Sequence, residues 1–148
     1  MNYLDIRLEA SDENIYSLND FKGQKIVLYF YPKDNTTGCT IEAKDFTCLQ
    51  KEFKELGYQI IGVSKDSVKS HKNFISKQDL NLLLLSDEKE ELIKAFDVLK
   101  EKSMYGKTYM GVVRSTFILD EQGNIIKEFR NVKAKQHAEN VLNELKTK

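Results

Sequence analysis

Six consecutive apolar residues, Ile26-Val27-Leu28-Tyr29-Phe30-Tyr31, run directly into Pro32, the only proline of the chain. A run of this length without polar alternation is what a strand buried on both faces requires. Such burial needs a covering layer on each side, and in a chain that alternates strands and helices those layers are helical. Proline lacks the backbone donor that a ladder uses, so the strand Lys25–Tyr31 ends there. The following loop therefore opens at the carboxyl end of a central strand, where open α/β sheets place their chemistry.

The rest of the pattern supplies the layers. Short strands are expected at Tyr3–Leu8 and Asn14–Ser17, around the turn Ser11-Asp12-Glu13, as an N-terminal hairpin. A helix is predicted from about Gly38 to Leu56, with Gly57 as its stop. A buried strand Tyr58–Ser64, a helix Val68–Gln78, a strand Leu82–Ser86 and a helix Lys89–Phe96 follow. Lys100–Gly111 reads as a polar loop. Val112–Leu119 and Asn124–Phe129 read as strands joined by Asp120-Glu121-Gln122-Gly123, and Ala134–Lys146 as a closing amphipathic helix. Alternating units predict parallel strands, and the late hairpin adds antiparallel ones. The fold class expected is α/β, with a central mixed sheet flanked by helices in the thioredoxin-like manner. At 148 residues, with no repeat or linker, residues 1–148 are expected to form a single domain.

Lys and Arg number 23, as do Asp and Glu, so there is no basic excess to suggest a nucleic acid or a membrane surface as partner. No apolar run is long enough to span a bilayer, and the N-terminus has no basic start followed by an apolar stretch. A cytoplasmic location is expected. His71 and His137 are isolated in polar helical stretches and read as solvated; with only two thiols besides, no metal-ligand cluster is apparent, and no Gly-rich phosphate loop exists. No cofactor or metal is expected.

After the central strand comes the loop Pro32-Lys33-Asp34-Asn35-Thr36-Thr37-Gly38-Cys39-Thr40. It puts Cys39 in the first turn of the longest helix. The free N–H groups and partial positive charge of a helix start favour a thiolate, and thiols so placed in proteins have pKa values of about 3.5–7.5 rather than about 8.5. Gly38 removes a side chain beside the sulfur. Two roles are open to Thr36: hydrogen-bonding a substrate oxygen, or capping the helix. Pro32 terminates the strand and can also shield the sulfur from water. On a 100° wheel Phe46, Leu49, Phe53 and Leu56 form the core stripe, and Glu42 projects into its middle. A carboxylate there is either a first-turn acid favoured by the dipole or a paired one. The candidate partner is Arg114, which interrupts the apolar run Val112–Leu119. Its fork of donors suits a thiolate.

The pattern Pro32-x-x-x-Thr36-x-x-Cys39, with Glu42 three residues on and a distant Arg114, resembles the active site of the peroxiredoxins. The segments Tyr31–Thr36, Gly38-Cys39-Thr40, Ser17-Leu18-x-x-Phe21-x-Gly23, Gly62-Val63-Ser64-x-Asp66, Leu84–Asp87, Gly106-Lys107-x-Tyr109-Met110-Gly111 and Arg114-x-Thr116-Phe117-Ile118-x-Asp120 are similar to its bacterioferritin-comigratory-protein, or peroxiredoxin Q, subgroup. The resemblance spans nearly the whole chain. It implies a thioredoxin fold and reduction of hydrogen peroxide or organic hydroperoxides in antioxidant defence. Cys39, Thr36, Arg114 and Pro32 are the implied active-site set, with Glu42 in support. Cys39 would pass through sulfenic acid and be recycled by thioredoxin or another thiol. A monomer is expected. Tyr105, Lys107 and Tyr109 read as loop surface beside the pocket.

Two positions depart from the subgroup. Thr37 stands where proline is usual. Lys44 stands where many members carry a resolving cysteine, so that role does not transfer. Cys48, nine residues beyond Cys39, is the other thiol. It either resolves Cys39 after the helix start unwinds, or is a partly exposed structural cysteine while an external thiol reduces Cys39. Disulfide exchange is the competing chemistry, but Thr36 occupies the first position of what would be a Cys-x-x-Cys motif. A binding module without catalysis is the third reading.

Overall fold

The computed structural model describes residues 2–147. β1 (Leu8–Ala10) and β2 (Ile15–Tyr16) make the N-terminal antiparallel hairpin. Then come β3 (Lys25–Phe30), α1 (Thr37–Glu55), β4 (Tyr58–Ser64), α2 (Val68–Gln78), β5 (Leu83–Ser86) and α3 (Glu91–Ala95). They are followed by β6 (Leu99–Met104), β7 (Lys107–Val112), β8 (Ser115–Leu119), β9 (Ile125–Phe129) and α4 (His137–Lys146). Seven strands form one sheet in the order β2-β1-β5-β4-β3-β8-β9. β3, β4 and β5 are mutually parallel, while β8 pairs antiparallel with β3, β9 with β8, and β1 with β5.

The uninterrupted apolar run of β3 splits cleanly between the two faces. Ile26, Leu28 and Phe30 join the core with Leu92, Ile93 and Phe96 of the α3 region. Val27, Tyr29 and Tyr31 join the core beneath α1, α2 and α4, with Phe46, Phe53, Phe74 and Val141. Strand pleating sends alternate side chains to opposite faces, so a strand covered on both sides loses its polar alternation. Gly62 of β4 lies opposite Tyr29. A Cβ there would come within 2.7 Å of Leu84 Cδ2 and 2.8 Å of Tyr29 Cζ, so glycine makes room for the phenol ring.

Three expectations are corrected. Tyr3–Leu8 is not a strand: Tyr3–Asp5 is a 3-10 turn, capped by the Asn2 side chain accepting from the Leu4 N–H, and the strand begins at Leu8. Leu4, Ile6 and Leu8 are nonetheless all buried, and that period of two mimicked a strand. Lys100–Gly111 is not a loop but part of a separate two-stranded sheet, β6–β7. Its turn residues Tyr105 and Gly106 both have positive φ, 52° and 77°, as a two-residue type I′ hairpin requires. Finally, Val112–Leu119 is two strands. β7 ends at Val112, β8 starts at Ser115, and Arg114 sits at the seam between the two sheets.

Candidate active site

Register brings the site together. β8 begins where Ser115 pairs with Phe30, the last residue of β3, so Arg114 lies just past the end of β3, at the same edge as the Pro32–Thr36 loop. Asn35 takes a left-handed conformation (φ 63°), which asparagine tolerates better than most residues, and the chain turns there into α1. Thr36 is the N-cap residue by position, but no side-chain cap bond is made; its hydroxyl donates instead to the Lys33 carbonyl at 2.8 Å. With that proton committed, the Thr36 oxygen can still accept.

Cys39 is buried, 1% exposed, in the first turn of α1. Arg114 Nη2 donates to Cys39 Sγ at 3.4 Å, and Nη1 donates to Glu42 Oε1 at 2.6 Å. A Cβ on Gly38 would stand 3.0 Å from Nη2, so the missing side chain admits the guanidinium. Glu42 is wholly buried, and its Oε2 has no hydrogen-bond partner among the described residues. Burial pushes its carboxyl up to about 7, against the pull of Arg114. Burial also opposes the charge of Arg114, but Glu42 and Cys39 outweigh it and hold the guanidinium above its ordinary value. Pro32 is half-buried at the loop entrance and Thr36 is exposed. Cys48 is exposed on the same helix. Nine residues of unbroken helix separate the two thiols by about 13.5 Å of rise, against the ~4.4–6.8 Å between Cα atoms of a disulfide.

Both histidines are buried, contrary to expectation. His137 Nε2 lies 2.7 Å from Thr116 Oγ1 on β8, and burial together with Arg114 lowers its pKa to about 4. His71 lies in a network with Asp34 and Tyr31. The signal for His71 was present: Val68, His71, Phe74 and Ile75 share one face of α2, so the imidazole lies on its core stripe. Lys102 of β6 was also missed. Its Nζ donates to the Val112 carbonyl at 2.6 Å, and its ammonium pKa is lowered by burial and by Arg114, with Cys39 acting the other way. Tyr105 and Tyr109, by contrast, are exposed on the hairpin. A surface depression of about 470 Å³, lined by Gln50, Lys54 and Tyr58 among others, lies at the amino ends of β3 and β4, away from Cys39.

The model of the AhpC/TSA family matches residues 2–128. The chain is 49% identical over 142 residues to peroxiredoxin Bcp of Bacillus subtilis, covering 96% of this chain and 90% of that one. The chain belongs to the peroxiredoxins of the AhpC/TSA family. Among solved structures, this peroxiredoxin is similar to the Xanthomonas campestris bacterioferritin comigratory protein, studied for alkyl peroxide reduction, with TM-score 0.93, 47% identity, and coverage of 98% of this chain and 92% of that one. It is also similar to a Cys-to-Ser variant of Xylella fastidiosa PrxQ, with TM-score 0.94, 44% identity, and coverage of 99% and 92%. The mixed sheet of this peroxiredoxin, with helices on both faces, is thus the thioredoxin-like architecture expected from the sequence.

Proposed function

We propose that this peroxiredoxin is a thiol-dependent peroxidase in which Cys39 is the attacking group. The Cys39 thiolate displaces at the terminal oxygen of a hydroperoxide. An S–O bond forms as the O–O bond breaks, the sulfur is oxidised to sulfenic acid, and the departing alkoxide or hydroxide takes a proton to leave as alcohol or water. Charge grows on the leaving oxygen, so fixed donors there lower the barrier. Arg114 is suited to the work: Glu42 grips one end of its fork while the other end faces the sulfur. Thr36 accepts a hydrogen bond from the peroxide O–H, since its own proton is engaged with Lys33. Pro32, half-buried beside the loop, limits water at the entrance.

The observation that carries this reading is the 3.4 Å contact between Arg114 Nη2 and Cys39 Sγ. Its test is peroxide consumption by purified protein with a thiol reductant. Cys39→Ser is expected to abolish it; retention of the wild-type rate by that variant rejects the reading.

Hydrogen peroxide and organic hydroperoxides are the substrate class on this reading, and thioredoxin or another external thiol reduces the sulfenic acid. An attacking thiol forms a mixed disulfide and releases water, and a second thiol frees Cys39. Resolution by Cys48 instead requires at least two turns of α1 to unwind. The reading includes a cytoplasmic monomer formed as one domain, with neither a nucleic acid nor a membrane as partner. Balanced charge supports the last point, and among the described residues no helix is long and apolar enough to cross a membrane.

A further inference from the structure

We propose that Asp34 and His71 are a positioning pair for the peroxide step, fixing the loop that carries Pro32 and Thr36 relative to Cys39. The proposal rests on the reading of Cys39 as the attacking thiol.

The pair is defined by its hydrogen bonds. His71 Nε2 lies 2.9 Å from the Leu85 carbonyl oxygen, which can only accept, so Nε2 bears a proton. His71 Nδ1 lies 2.7 Å from Asp34 Oδ2, and one proton occupies that bond whichever partner owns it. The two side chains are 0% and 1% exposed and together carry no net charge. That neutrality lets two ionisable groups remain buried. The carboxylate is otherwise filled: the Tyr31 hydroxyl donates to Oδ1 at 2.6 Å and the Ser70 hydroxyl to Oδ2 at 2.8 Å. Its backbone N–H donates to Asp66 Oδ2 at 2.8 Å, an oxygen that also takes the Ser64 hydroxyl at 2.7 Å.

These partners come from different elements. Tyr31 follows β3, Ser64 ends β4, Leu85 lies on β5, and Ser70 and His71 lie on α2. Tyr31 and Ser70 bond Asp34 directly, Ser64 reaches it through Asp66 and Leu85 through His71, so all three parallel strands and the adjoining helix are tied to one loop residue. The next residue, Asn35, makes the left-handed turn, and Thr36 and the first turn of α1 with Cys39 follow. Asp34 is thus the fixed point from which the turn delivers Thr36 and the sulfur. Without it, the donors around the peroxide keep their identity but lose their placement, and errors of about 1 Å in placement cost rates on the order of 100-fold.

The test separates positioning from general loosening. Cys39 in Asp34→Asn, His71→Leu and the double variant is reacted, in single turnover, with hydrogen peroxide and separately with iodoacetamide. The second reagent needs the sulfur but not the ordered loop. Each single variant is expected to lose about 10- to 100-fold in the peroxide rate while alkylation stays within about twofold. The double variant is expected to be no slower than the worse single one, because the two residues act as a unit. An unchanged peroxide rate, or peroxide and alkylation rates that fall in equal proportion, overturns the proposal. If His71→Leu does not fold, Asp34→Asn and Ser70→Ala decide it by the same two rates. Cys39→Ser, run alongside, tests the underlying reading: full peroxide consumption there rejects Cys39 as nucleophile, whatever the pair does.

Discussion

Arg114 and Glu42, 72 residues apart in sequence, meet at 2.6 Å between Nη1 and Oε1, and this contact orients the remaining Nη2 toward Cys39 Sγ. One planar group thereby couples a buried carboxylate to the sulfur. Lysine carries the same charge but, as a compact ammonium, not the same fork. Arg114→Lys is accordingly expected to keep the fold while lowering the second-order rate with hydrogen peroxide by about 100-fold, in line with the loss of a preorganised donor. Stopped-flow measurement checks it, and a loss of less than about twofold counts against the fork.

Gly38 provides a change in which stability and activity part company. Alanine in a helix gains about 0.5–1 kcal/mol over glycine. Its Cβ, however, would stand 3.0 Å from Arg114 Nη2. Gly38→Ala is expected to leave the thermal midpoint unchanged or higher and to slow the peroxide step by an order of magnitude. Thermal melts and peroxide kinetics on one preparation test both halves.

Glu42 and His137 predict opposing pH effects on stability. Burial raises the Glu42 carboxyl to about 7 from 4.5, so between those values the folded state holds a proton that the unfolded state has released. Its contribution is present below about 4.5 and is lost as pH rises through 7. Burial and Arg114 lower His137 from 6.5 to about 4, so there the unfolded state holds the extra proton. Its contribution is present above 6.5 and is lost as pH falls through 4. Each is worth on the order of 3 kcal/mol at full extent and the two windows overlap. Relative to wild type, Glu42→Gln is expected to gain stability with rising pH, and His137→Gln to lose it. Urea denaturation at intervals from pH 4 to 7 reads both slopes; parallel curves for the three proteins contradict the assignment.

Cys48 offers a simple discrimination. With an external thiol as reductant, Cys48→Ser is expected to turn over peroxide at the wild-type rate. Peptide mass spectrometry after one equivalent of peroxide should find sulfenic acid or a mixed disulfide on Cys39. A Cys39–Cys48 bridge in wild type, with turnover lost in the variant, would assign resolution to Cys48.

What the sequence disclosed and what it concealed follow from the same physics. β3 was legible because burial on both faces removes polar alternation, and Arg114 and Glu42 stood out as charges stranded on apolar faces. The β6–β7 hairpin was hidden because most of its β7 side chains face solvent, so no apolar period marks it. Its turn depends on Tyr105 at positive φ, a weaker signal than asparagine or aspartate before glycine. Asp34 was hidden for another reason. Alone it looks like a solvated polar residue, and only the fold brings it, across 37 positions, to His71, whose place on the core stripe of α2 is readable from spacing. Thr36 occupies the capping position, yet its hydroxyl turns to Lys33, a choice of rotamer that spacing does not encode.

α1 carries one thiol sealed from solvent and one open to it, two and a half turns apart on a single rigid rod. The two sulfurs therefore sort reagents by size. A bulky disulfide meets Cys48 alone while the helix start is closed, whereas molecules as small as a hydroperoxide or iodoacetamide can reach both. The exposed thiol is open to oxidants and thiols of any size, and the buried one to those small enough to pass the loop.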